Sequence, residues 1–109
     1  MKLRVMFLVI GLLLSSTSYA GEVARGEIDE LVNLIGNERL FAVFMSTSSS
    51  GPCAGKWVRF KEANFGNNPE GYKFAFSMAA TALASGKKVR LHNYLSDSCD
   101  GVTFIGVSK

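Results

Sequence analysis

One histidine, two cysteines, two prolines and one tryptophan are all that 109 residues hold of those types. A lone His92 cannot build a typical zinc site without cysteine help. The cysteines, Cys53 and Cys99, lack both the C-x-x-C spacing and the further ligands that a metal or redox motif needs. Charge of one sign is scarce as well: a formal net charge of +3 gives little footing for nucleic-acid binding. No G-x-S-x-G elbow is present, so a serine hydrolase would have to assemble Ser46, Ser48, Ser49 or Ser50 with His92 and Asp97 from scattered loops. No cofactor motif stands out, and no catalytic residue is assigned.

Long apolar runs are missing too. The longest, "VMFLVIGLLL", is about half the roughly 20 residues that a membrane-spanning helix requires. It follows the basic start "MKLR" and precedes "SSTSYA", which ends in the small-x-small pattern Ser18-Tyr19-Ala20. That order is expected of a secretory signal peptide over residues 1–20, leaving 21–109 as a single secreted or periplasmic domain with no membrane span. No cysteine follows the cut, which argues against a lipid anchor. Losing Lys2 and Arg4 would lower the net charge by two.

Export places both thiols in an oxidising compartment, where two cysteines are most simply one disulfide, Cys53–Cys99. Both lie in polar turn-like stretches, "MSTSSSGPCAG" and "LSDSCDG". Between such stretches, "EIDELVNLI" fits helical spacing but reads better as a strand, since "GNE" and the aromatic-rich "RLFAVFMS" follow as in a hairpin. "GKWVRFKE" sets Lys56, Val58 and Phe60 against Trp57, Arg59 and Lys61. "NNPEGYKFAFSMAATALASGKK" is a helix, with Asn68 as N-cap, Pro69 at the first position and Gly86 as the left-handed stop. Its expected buried stripe is Tyr72, Phe76, Ala79 and Leu83, widened by Phe74, Met78 and Ala82. "KVRLHNYL" alternates Val89, Leu91 and Asn93 against Arg90, His92 and Tyr94, and "GVTFIGVSK" is a last strand. The order strand, strand, strand, helix, strand, strand predicts a mainly β, five-stranded OB-like barrel stapled by its disulfide. The serines of the first loop are expected to stay solvated.

Two groups of side chains could meet a ligand. Trp57 and Arg59 pair an aromatic ring with a planar cation, suited to stacking on a sugar, on the strands that OB barrels use for ligands. Asp97 and Asp100 flank Cys99; two acids fall short of a calcium site, and a solvated turn accounts for them as well.

The segment "SGKKVRLH", Cys99 and the terminal "FIGVS" give the chain a resemblance to the small secreted proteins related to the subtilase cytotoxin B subunit. That resemblance implies an OB fold and, for the toxin members, a homopentamer that binds cell-surface sialylated glycans beside a toxic A subunit. None of the toxin's sugar-binding residues is carried onto this sequence. The expected function is therefore a secreted, non-enzymatic, glycan-binding module. The alternative is a periplasmic or envelope protein-interaction or inhibitor module without glycan binding.

Overall fold

The computed structural model describes residues 21–36 and 38–109. The expected signal peptide, residues 1–20, lies outside the described residues, as does Asn37 of the first hairpin turn. Five strands form one antiparallel sheet: β1 (Glu22–Leu34), β2 (Leu40–Met45), β3 (Trp57–Lys61), β4 (Lys88–His92) and β5 (Phe104–Ser108). A one-turn 3-10 helix (Glu62–Phe65) and the helix α1 (Pro69–Ser85) lie between β3 and β4.

The sheet order is β3-β2-β1-β4-β5, and β1 makes the curl possible. Its first half pairs with β4 and its second half with β2, with register shifts between Glu22 and Ala24 and between Ile28 and Glu30. Such bulges bend a strand and raise its local twist, so one long strand serves both halves of the sheet. This corrects the expected start of the first strand: pairing begins at Glu22, not Glu27. "EVARG" shows little apolar alternation because its bulge breaks the period of two.

The sheet is barrel-like without being closed. Its edge strands, β3 and the segment leading into β5, meet at a single parallel bridge between Arg59 and Asp100. There the Arg59 amide donates to the Cys99 carbonyl at 2.8 Å, and the Arg59 carbonyl accepts from the amides of Gly101 and Val102, each at 3.2 Å. Gly101 and Val102 are taken up by this seam and the Thr103 amide donates to the His92 carbonyl, so the last strand starts at Phe104 rather than at Gly101. The Cys53–Cys99 disulfide, with Cα atoms 5.8 Å apart, ties the β2–β3 loop to the β4–β5 loop beside the seam.

The core lies between the curled sheet and α1. Phe41 is its hub, stacked on Phe60 at 4.5 Å and meeting Tyr72 and Phe76 of the helix at 5.5 and 5.3 Å. The helix is capped as expected: Asn68 Oδ1 accepts from the Gly71 amide, Pro69 opens the first turn, and Gly86 closes the last at φ 67°. The buried stripe is narrower than expected. Tyr72, Ala75, Ala79 and Ala82 are buried, with Phe76 packed against them, whereas Phe74, Met78 and Leu83 face outward. Alanine at three of the four buried positions brings the helix close to the sheet. That close approach leaves no width for a broader stripe.

The serine loop differs from expectation in part: Ser48 and Ser50 are exposed as expected, but the loop does not stand free in solvent. It folds over β1, with the Arg25 and Ser50 backbones exchanging two hydrogen bonds and the Ser46 amide donating to Glu27. Ser49 Oγ is shielded from solvent against Gly26. The serines need no bulk because the loop lies directly on the strand.

Candidate functional site

Strand alternation points Phe41, Val43 and Met45 into the core and turns Leu40, Ala42 and Phe44 to the outer face, where Ala42 is covered and Leu40 and Phe44 are half-buried. The pairing then sets three outward rows across β1, β2 and β3: Glu30, Phe44 and Trp57; Val32, Ala42 and Arg59; Leu34, Leu40 and Lys61. Trp57 is half-buried. Phe44 meets it edge to face at 5.2 Å, which holds the indole against the sheet while leaving part of it open. Arg59 is exposed, and its side chain forms no ion pair among the described residues. The structure thus brings Trp57 and Arg59 together as neighbours on one face.

Asp100 joins this platform through its charge. Its carboxylate accepts from Lys61 Nζ at 3.1 Å, and Glu38 of the β1–β2 turn lies 3.7 Å from the same ammonium. The hydrogen bond to Asp100, then the charges of Asp100 and Glu38, push the lysine pKa up. Lys61 therefore clasps the β1–β2 turn to the β4–β5 loop at the end of β3. Asp97 is not drawn in: it is exposed and bonds to no other described side chain. Beside the clasp, a shallow cleft of about 300 Å³ is lined by Lys61, Asn64, Ser96, Ser98 and Asp100.

The β4–β5 loop owes its shape to Asn93, which is 1% exposed. Its Nδ2 donates to the carbonyls of Ser98 and Asp100, at 2.9 and 3.0 Å. Its Oδ1 accepts from the amides of Leu95 and Ser96, at 2.9 and 3.4 Å. Every hydrogen-bonding position of the amide is engaged on the loop it shapes. Asn93, Lys61 and Phe44 were not singled out in the sequence as site residues. Phe44 is one step out of phase with Phe41 and Val43, and Asn93 continues the buried face of Val89 and Leu91; those two offsets were the available signals.

The scattered hydrolase constellation does not assemble. The serines bond to one another and to the β1 backbone, while His92 lies among rings, 4.7 Å from Phe104 and 5.8 Å from Tyr94. Among the described residues no three histidine, cysteine or acidic side chains lie close enough to hold a metal ion, and no helix is long and apolar enough to cross a membrane.

A family described as a family of unknown function (DUF5992) matches residues 3–109. No curated protein and no solved structure matches the chain.

Proposed function

The chain belongs to DUF5992, a family whose description leaves its function open, and from that premise we propose that it is an exported, non-enzymatic module binding carbohydrate on the outer face of β1, β2 and β3. The observation that carries this reading is the juxtaposition of a half-open Trp57, braced by Phe44, with an exposed Arg59. An indole face takes the C–H face of a pyranose, and a guanidinium offers planar donors to hydroxyls or to a carboxylate. OB barrels use this strand pair for oligosaccharides, with the two flanking loops as walls. Here those loops are held together through Lys61, so the platform is formed before a ligand arrives.

Glycan-array binding, followed by titration of the best hit, tests the reading. Trp57→Ala should weaken binding roughly ten- to hundredfold, as expected for losing one stacking platform worth ~1–3 kcal/mol. Arg59→Gln should weaken acidic glycans more than neutral ones. Silence across sialylated and neutral arrays would overturn the proposal. Sedimentation of the exported protein reads whether it forms the ring expected from the toxin resemblance, with or without an A subunit.

A second reading, an envelope protein-interaction module, draws on the other side of the molecule. Phe74 is 66% exposed and Met78 37% exposed on α1, beside Val107. A null glycan array, together with a periplasmic pull-down lost on Phe74→Ala, would favour it.

A further inference from the structure

The outer face of β1, β4 and β5 carries a constellation of its own, away from the Trp57 platform. In one row Glu22 lies opposite His92, and His92 opposite Phe104. In the next, Arg25 lies opposite Arg90, and Arg90 opposite Gly106. His92 meets the Phe104 ring edge to face, and Tyr94 stacks on His92 at an interplanar angle of 23° while remaining 67% exposed. The Arg90 guanidinium sits 6.0 Å from the Phe104 centroid. It also lies across Gly106, where an added Cβ would come within 3.4 Å of its Nη2. The missing side chain lets the guanidinium lie along the sheet.

Two further observations separate this face from an ordinary solvated surface. Arg25 is committed to Glu22, Nε to Oε1 at 2.6 Å, but Arg90 forms no ion pair among the described residues. His92 Nε2 is shielded from solvent and has no hydrogen-bond partner. A polar atom in that condition costs free energy until a partner reaches it.

We propose that this face is a second ligand site, independent of the Trp57 platform, that takes a pyranose ring bearing a carboxylate, the uronate unit of an acidic polysaccharide. The exposed Tyr94 ring and the edge of Phe104 receive the C–H face of the sugar. Arg90, already steadied by the Phe104 ring and the Gly106 gap, pairs with the carboxylate through two parallel N–H donors. His92, stacked beneath Tyr94 and edge-on to Phe104, holds the two rings in place for the sugar. Glu22, fixed beside His92 by Arg25, repels a carboxylate at that end and so sets the direction in which the sugar lies. A neutral sugar would leave the Arg90 charge without a counter-ion, and an acidic peptide would leave the rings unused.

The test is amide chemical-shift mapping of the exported, oxidised protein titrated separately with trigalacturonate, maltotriose and a short polyaspartate peptide. Trigalacturonate should move the amides of Arg90, His92, Tyr94 and Gly106. Arg90→Gln and Tyr94→Ala, both at exposed positions, should each weaken the binding read at those amides at least fivefold. The proposal is overturned by an absence of shifts at millimolar trigalacturonate, by an equal response to maltotriose or to polyaspartate, or by unchanged affinity in Arg90→Gln. Shifts confined to β2 and β3 would also overturn it while leaving the Trp57 platform standing.

Discussion

At the scale of single residues, Asn93 concentrates more structure than any other polar side chain described here. Four backbone groups of the β4–β5 loop depend on one buried amide. Asn93→Ala should cost about 3 kcal/mol, because it strands buried donors and acceptors. Urea unfolding should show a lower midpoint at unchanged slope. Asn93→Asp should be at least as damaging, since it places an anion against the carbonyls of Ser98 and Asp100. Glu22 behaves differently. The hydrogen bond from Arg25 holds its carboxyl below the usual carboxylate range; the charges of Arg25, His92 and Arg90 act in the same sense, and partial burial opposes them. A folded pKa below the unfolded one stabilises the protein above the unfolded value, and the contribution is lost as pH falls through the folded one. The stability gap between wild type and Glu22→Gln should therefore be present at neutral pH and close in acid, as read by unfolding at stepped pH. Residue types were legible from sequence: Trp57 and Arg59 were identified from their alternation, and they do share a face. Asp97 was grouped with Asp100 by proximity to Cys99, but the loop turns them to different surroundings, set by the Asn93 bonds together with the Arg59 seam and the Lys61 clasp.

At the scale of elements, the helix and the hairpins declared themselves through local chemistry. Asn68, Pro69 and Gly86 bound α1 because caps are short-range devices, and the aromatic-rich β2 could be little else than a strand. The width of the buried helix stripe was not legible, because it depends on how near the sheet approaches. Nor was the first half of β1, whose bulge erases the alternation that marks a strand. The serine loop, too, is explained by tertiary contact. Gly51, at φ 97°, lies against the Val23 carbonyl, where an added Cβ would come within 2.6 Å of the oxygen. The Cys53 amide donates to that same carbonyl. Gly51→Ala combines left-handed strain with a backbone clash, so it should cost roughly 1–3 kcal/mol and lower the thermal midpoint. The equivalent change at Gly36, where an added Cβ meets nothing within 4 Å, should be close to neutral.

At the scale of the whole molecule, the barrel depends on two fastenings placed side by side, the disulfide and the Arg59 seam. Pairing Cys53 with Cys99 followed from count and compartment, and five strands around one helix followed from element order. The incomplete closure could not be read in advance, since it rests on one residue's backbone reaching a loop some forty positions away. Replacing both cysteines by alanine should cost about 3–4 kcal/mol, the chain entropy released when a separation of 46 residues is no longer bridged. For a domain of this size the thermal midpoint should fall by roughly 15–30 °C. Intact Cys53–Cys99 should also be found by mass analysis of the protein prepared without reductant.

A ring latched at one rung has an obvious place to breathe. The amides of Gly101 and Val102 both rely on the Arg59 carbonyl, and the Arg59 side chain stands on the platform outside. Under the proposed function, a ligand seated on that platform would be gripping the latch itself. On that proposal, deuterium uptake at those two amides is quick in the free protein and slowed once ligand fills the outer face.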